Sequence, residues 1–210
     1  MYYDVTQDLK FSLLLHLLKL EHSGLIMVFC NTQRNTDFIA TNLKKFGVDA
    51  TAIHGGLSQA KRNRVMEKFH AGKAEVLVCT DVAARGLDIK GVSHIYNYDI
   101  PPTSKEYIHR IGRTARAGKD GIAISIVSQR DYDNFRSVLK NPDLKILQEN
   151  TPQVERVNIR FSSDRGFSVN THRGRSRFVG KDGFRDNKRF SNQSSNYGNR
   201  RNFGNKRSFE

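Results

Sequence analysis

The body of this 210-residue chain predicts an α/β domain of doubly wound parallel type, and its last quarter predicts a disordered basic tail. Two observations carry the first expectation. Short apolar runs alternate with helix-period segments of about 10 to 15 residues, the pattern of parallel strands joined by right-handed crossovers. The residues least suited to a core fall just after those runs, where such a sheet meets its ligands. Composition carries the second: residues 156–210 hold 14 of the 35 Lys and Arg but only 4 of the 21 Asp and Glu, so most of the formal charge of +14 lies there. The same stretch has four aliphatic residues, Val157, Ile159, Val169 and Val179, too few to offset the entropy of ordering.

In chain order, leucines 9, 13, 17 and 20 recur at helical spacing and predict an amphipathic helix over Asp8 to Leu20. "LIMVFC" has the length and continuous apolar character of a strand buried on both faces. A helix from Gln33 to Phe46 is expected to end at Gly47, with "VDATAI" as the next strand. Ser58 caps a helix running to His70, then "AEVLVCT" and "GVSHIYNYD" are strands. Ser104 opens a helix, "GIAISIV" is the last strand, and Ser128 with Asp131 makes a capping-box start for one more helix. The alternation Val157, Ile159, Phe161 is compatible with one added edge strand. The domain is expected over residues 1–150, with linker and tail over 151–210.

Cys30 and Cys79 each end an apolar run, the position of buried thiols rather than of a disulfide or metal pair, and no metal ligands are assigned. "FSLLLHLLKL" is too short to cross a bilayer and lacks the flanks of a signal peptide, so a soluble, cytoplasmic protein is expected, nuclear or nucleolar if eukaryotic.

Three loops carry chemistry. After "EVLVC", Thr80 and Asp81 leave a strand and Asp88 follows, an arrangement suited to a phosphate and then a ribose hydroxyl, although a lone loop Asp more often shapes a turn. "HGGLSQAKRNR" joins a Gly-Gly turn to Gln59, Arg62 and Arg64 at a helix start, where partial positive charge favours phosphate; a solvated basic face is the alternative, favoured for Lys61 and Arg64. In "HRIGRTARAG", Arg110, Arg113 and Arg116 recur every third residue and would fan along one side of a helix. Guanidinium forks match phosphate oxygens, so the row is expected at a nucleotide or polyanion; ion pairing with acids elsewhere is the structural alternative.

In this order, "MVFCNT", "HGGLSQAKR", "CTDVAARGLDI" and "YIHRIGRTARAG" resemble motif IV, the Gln-x-x-Arg segment, motif V and motif VI of the C-terminal half of DEAD-box RNA helicases, with His109 pointing to that branch rather than to the DEAH branch. The resemblance implies a RecA-like domain. It implies that Arg113 and Arg116 are arginine fingers reaching the γ-phosphate of ATP, that Asp88 bonds the ribose, and that His109 lies on the nucleotide side with Arg110 near the interdomain cleft. It implies that Thr32, Gly55, Gln59, Arg62, Thr80 and Arg110 contact the RNA backbone or support those contacts. The activity implied is ATP-driven closure of two domains on RNA, single-stranded or in a short duplex.

The sequence contains no Gly-x-x-x-x-Gly-Lys-Ser/Thr loop, Asp-Glu-Ala-Asp box or Ser-Ala-Thr motif, so ATP and Mg²⁺ are expected only with a preceding RecA-like domain and this chain alone is expected to be inactive. "MYYDVTQDLKFSLLLHLLK" is expected to be where a linker enters from that domain, making the chain a piece of a longer helicase. In the tail, "NKRF", "NRRNF" and "NKRSF" interleave cations with Phe190, Phe203 and Phe209, which offers phosphate attraction and base stacking with little sequence preference. A stand-alone RNA-binding or annealing module acting through this tail is the alternative function.

Overall fold

In the computed structural model, residues 1–20, 24–72, 74–85, 87, 89, 92–114 and 121–159 are described. The elements are β1 (Tyr2–Asp4), α1 (Lys10–Leu20), β2 (Leu25–Phe29), α2 (Gln33–Lys45), β3 (Ala50–Ile53), α3 (Gln59–His70), β4 (Val76–Cys79), α4 (Asp81–Ala84), β5 (Val92–Asn97), α5 (Ser104–Ile111), β6 (Ile122–Val127) and, after a 3₁₀ turn at Gln129–Asp131, α6 (Tyr132–Leu139). The six strands form one sheet in the order β1-β6-β5-β2-β4-β3, parallel at every pairing. Strand order reverses at β2, so the crevice expected of a doubly wound sheet opens at the carboxyl ends beside that strand.

Alternate residues of each central strand feed opposite faces. Ile26, Val28 and Cys30 join Val76 and Val78 against Phe11, Leu14, Ile39 and Leu43 on one side. Met27 and Phe29 join Leu77, Cys79, Ile53 and Ile95 against Phe69 and Ala83 on the other. Because both faces are covered, these strands are apolar throughout rather than alternating. Cys30 and Cys79 are free and buried, with the Cys30 amide donating to the Cys79 carbonyl at 2.9 Å.

Helix ends follow the expected chemistry. Thr32 Oγ1 accepts from the Asn35 amide at the start of α2, Ser58 Oγ from the Lys61 amide at the start of α3, and the Ser128–Asp131 capping box is formed. Asp131 does more than cap. Its carboxylate also receives the Lys10 ammonium at 2.6 Å, both side chains at most 9 % exposed, which ties the first turn of α1 to the end of β6.

The ends of the domain add one strand that the sequence reading does not name and leave residues 151–159 without the added edge strand. Tyr2–Asp4 pairs with Ser125–Val127 as the edge strand β1. Residues 151–159 form no strand; Val154, Val157 and Ile159 instead pack against the core cluster that holds Phe11, Leu14 and Ile39, and the Val157 amide donates to Ser12 Oγ on α1 at 3.0 Å. Bridging at the sheet edge falls to Gln148 beside Tyr2. The chain thus stays packed past residue 150, while Phe161 and the basic tail lie outside the described residues. Among the described residues no helix is long and apolar enough to cross a membrane.

Candidate functional site

Register brings the unusual loops together. Ile53 of β3 is level with Cys79 of β4, Cys79 with Phe29 of β2, and Phe29 with Asn97 of β5. The residues that follow each strand, His54–Gly56, Thr80, Asn31–Thr32 and Asp99, therefore emerge along one edge of the sheet.

At the middle of that edge Arg110 is 1 % exposed. Its Nε and Nη2 donate to the two carboxylate oxygens of Asp81 at 2.7 Å each, Nη2 also donates to Asn31 Oδ1 at 2.8 Å, and Nη1 donates to the Asp99 carbonyl and to Asn97 Oδ1. The guanidinium lies 5.1 Å from the centre of the Phe29 ring. Asp99 completes the net by accepting from the Asn31 amide at 2.9 Å and from Asn35 Nδ2 at 2.7 Å. Arg110, expected among the residues that contact RNA or support those contacts, has its donors spent on Asp81, Asn31, Asn97 and Asp99, so this buried side chain offers no direct contact. A buried cation needs such pairing because desolvation penalises it heavily otherwise.

Among the described residues the arginine row does not continue as a helical stripe. Helix α5 stops at Ile111, and Gly112, whose amide donates to the Ile108 carbonyl, caps it where a Cβ would stand 3.1 Å from that oxygen. Arg113 therefore lies past the helix end, half-buried; its amide donates to the Arg110 carbonyl at 3.1 Å, and its one side-chain hydrogen bond among the described residues runs from Nη1 to the Leu87 carbonyl at 3.3 Å. Among the described residues that guanidinium pairs with no carboxylate. His109 is exposed on α5 and lines one crevice with Arg113, Asp81, Arg85 and Glu106. Arg116 and Asp88 lie outside the described residues.

On the other side of the Arg110 net stand the remaining candidates. Thr32 is exposed at the N-terminus of α2, and Gln59 is exposed in the first turn of α3, where its Nε2 bonds Asn63 Oδ1 at 2.9 Å. Gly55 is exposed between them in the turn after β3. Two helices thus open on this side, and their free N–H groups favour anions. Arg62 is half-buried and reaches the Ala83 carbonyl at 3.4 Å, bracing α3 against α4. Thr80 is 7 % exposed at the start of α4 and makes no capping bond through its hydroxyl. Thr32, Gly55 and Gln59 therefore present surface, whereas Arg62 and Thr80 stand behind it.

Sequence reasoning missed Asn31, Asn35, Asp81 and Asp99 as members of the net. Asn31, Asn35 and Asp81 meet their net partners 29 to 79 residues away along the chain, and Asp99 meets Asn31 and Asn35 from as far although Arg110 is only 11 residues from it, so no local pattern marks them.

The sequence signature of the family described as "Helicase conserved C-terminal domain" matches residues 9–118. The DEAD-box ATP-dependent RNA helicase CshA of Geobacillus kaustophilus is 44% identical over 154 residues, 73% of this chain and 33% of that protein. An ATP-dependent RNA helicase CshA of Listeria monocytogenes is 52% identical over 129 residues, 61% of this chain and 25% of that protein. The chain spans about a third or less of the length of these relatives. Among solved structures, the E. coli DEAD-box protein SrmB bound to the regulator of ribonuclease activity A is 36% identical, covers 75% of this chain and 95% of that chain, and superposes with a TM-score of 0.68. Dbp5 of S. cerevisiae bound to RNA and ADP BeF3 is 33% identical, covers 71% of this chain and 41% of that one, and gives a TM-score of 0.67.

Proposed function

The chain belongs to the helicase conserved C-terminal domain family, in its DEAD-box branch with a RecA-like fold, and from that premise we propose that it serves as the second half of an ATP-dependent RNA helicase that opens short duplexes by domain closure. The observation that carries this reading is the division of one sheet edge into two faces, His109 and Arg113 on one and Thr32, Gly55 and Gln59 on the other, with the buried Arg110 net between them.

On the first face, Arg113 would meet a phosphate, and Arg116 and Asp88 are proposed beside it as second finger and ribose contact. ATP with Mg²⁺, held mainly by a preceding RecA-like domain, would supply the scissile phosphate. Arg113 and Arg116 would neutralise charge there, and His109 would line the same cleft. On the second face, the amide-rich turn at Gly55, the N-termini of α2 and α3, and the Gln59 side chain would hold backbone phosphates of one RNA strand, with Arg62 and Thr80 supporting them from beneath. Base edges are not engaged in this arrangement, so sequence preference should be slight. We place the protein in the cytoplasm.

The test joins this chain to a RecA-like domain carrying a phosphate loop and an Asp-Glu-Ala-Asp box and measures ATP hydrolysis with and without RNA. Hydrolysis stimulated by RNA in the joined protein, and none from the chain alone, supports the reading. Absence of stimulation in a well-folded joined protein contradicts it.

The charge of residues 156–210 favours a second reading, an RNA-binding or annealing module that works through its tail. Strand annealing by the chain alone, without nucleotide and abolished by removing residues 160–210, would support it.

A further inference from the structure

His54 follows β3 and is only 5 % exposed. Its Nδ1 accepts from the Gly56 amide at 3.1 Å, and its Nε2 lies 3.0 Å from Asp37 Oδ1 on α2. An Nδ1 that accepts must be bare, so the ring proton sits on Nε2 and is donated to Asp37. The His54 carbonyl accepts from the Leu57 amide at 3.2 Å, closing a four-residue turn with Gly55 and Gly56 at its centre.

Neither glycine has the left-handed backbone that would by itself require glycine. Close approach explains Gly56 instead. A Cβ there would stand 2.6 Å from Gln33 Oε1 and 3.1 Å from two His54 ring atoms, whereas one at Gly55 would find its nearest neighbour at 3.6 Å. The turn thus lies flat on the imidazole and on the Gln33 amide, with Gly55 on the outside.

We propose that His54 is a positioning residue for RNA: through Nδ1 it holds the Gly55–Gly56 turn in the shape that offers Gly55 backbone to a phosphodiester, and through Nε2 it is itself fixed by Asp37. The proposal rests on the RNA face described above. It makes α2 part of the support for the turn, since Asp37 and Gln33 both come from that helix. A histidine that merely fills space would need volume and the tie to Asp37. A positioning histidine needs an acceptor at the Nδ1 place.

Two substitutions separate these roles. The terminal oxygen of His54→Asn falls near the Nδ1 place, and the terminal amide of His54→Gln falls near the Nε2 place. The full chain, ¹⁵N-labelled, is titrated with a single-stranded oligouridylate ten nucleotides long, and the Gly55 and Gly56 amide resonances are followed. His54→Asn should keep the downfield Gly56 amide and the wild-type midpoint at Gly55. His54→Gln should lose the first and weaken the second about fivefold, the worth of one ordinary hydrogen bond. Equal midpoints in the two variants, or rescue by Gln and not by Asn, overturn the proposal. Asp37→Ala changes an exposed side chain and is the second test if either core variant fails to fold: a weakened Gly55 midpoint with an upfield Gly56 amide supports the proposal, and an unchanged pair overturns it. If wild-type RNA titrations move neither amide, the RNA face itself is contradicted, and the Gly56 resonance of the variants without RNA still reports whether His54 holds the turn.

Discussion

Arg110 and Asp81 meet through two parallel hydrogen bonds of 2.7 Å, and the Arg110 side chain has no exposed surface. This fork joins α5 to α4, and the same guanidinium holds Asn31 at the end of β2. Lysine cannot reproduce a planar fork with several donors. Arg110→Lys should therefore lower the stability of the chain by about 2–4 kcal/mol, and Asp81→Ala, which leaves the buried cation unpaired, by about 3–5 kcal/mol. Urea unfolding followed by circular dichroism checks both, and a loss below about 0.5 kcal/mol in either would show that the net carries no stability.

Burial pushes the thiols of Cys30 and Cys79 well above their ordinary value, and burial likewise raises the phenols of Tyr98 and Tyr107. All four groups stay neutral in the folded chain at a pH where the unfolded chain ionises. Their contribution is thus complete below the ordinary thiol value of 9.0 and is lost as pH rises beyond it. The unfolding midpoint in urea should fall between pH 8 and pH 10.5, and a thiol reagent at pH 8 should modify neither cysteine until the chain unfolds. Rapid labelling of the native chain would contradict the packing around β2 and β4.

Gly24 and Gly47 both have left-handed backbone, φ +88° and +83°, but their surroundings differ. A Cβ at Gly24 would stand 2.7 Å from Ser93 Oγ and 2.9 Å from Ser93 Cβ, whereas one at Gly47 would meet nothing within 4 Å. Gly47→Ala should cost about 1–2 kcal/mol, the backbone strain alone. Gly24→Ala should cost at least about 1 kcal/mol more, because the loop and β5 must separate. Equal unfolding midpoints for the two variants would contradict this difference.

Much of the fold was legible because parallel strands covered on both faces are continuous apolar runs and some of the connecting helices open on capping residues. Ser58 and the Ser128–Asp131 box are cases where local hydrogen-bonding chemistry decides the structure. Tyr2–Asp4 was not legible, since three residues have no period and their pairing with β6 depends on a segment more than 120 residues away. Of the candidate site, the glycine turn and the helix N-termini could be read from sequence. The inward turn of Arg110 could not, because spacing locates a residue on a helix but does not say whether Asp81 and Asn31, 29 and 79 residues earlier, will enclose it.

The basic tail should dominate the salt dependence of RNA binding. Removing residues 160–210 takes away most of the excess positive charge while leaving the packed segment 151–159 in place. On single-stranded RNA, log K against log salt should flatten by about 0.7 for each phosphate the tail neutralises. Fluorescence anisotropy over a salt series measures this, and an unchanged slope would move RNA binding to the folded body.

The central claim is that Arg113 and Arg116 complete a nucleotide site shared with another domain, while Arg110 is structural. The most direct measurement is RNA-stimulated ATP turnover of a joined two-domain protein carrying Arg113→Ala or Arg116→Ala, with RNA affinity and urea stability recorded alongside. Turnover should fall by roughly 10³ or more in each variant with folding and RNA affinity retained. Turnover within about twofold of the unsubstituted protein, in variants that remain folded, would contradict the claim.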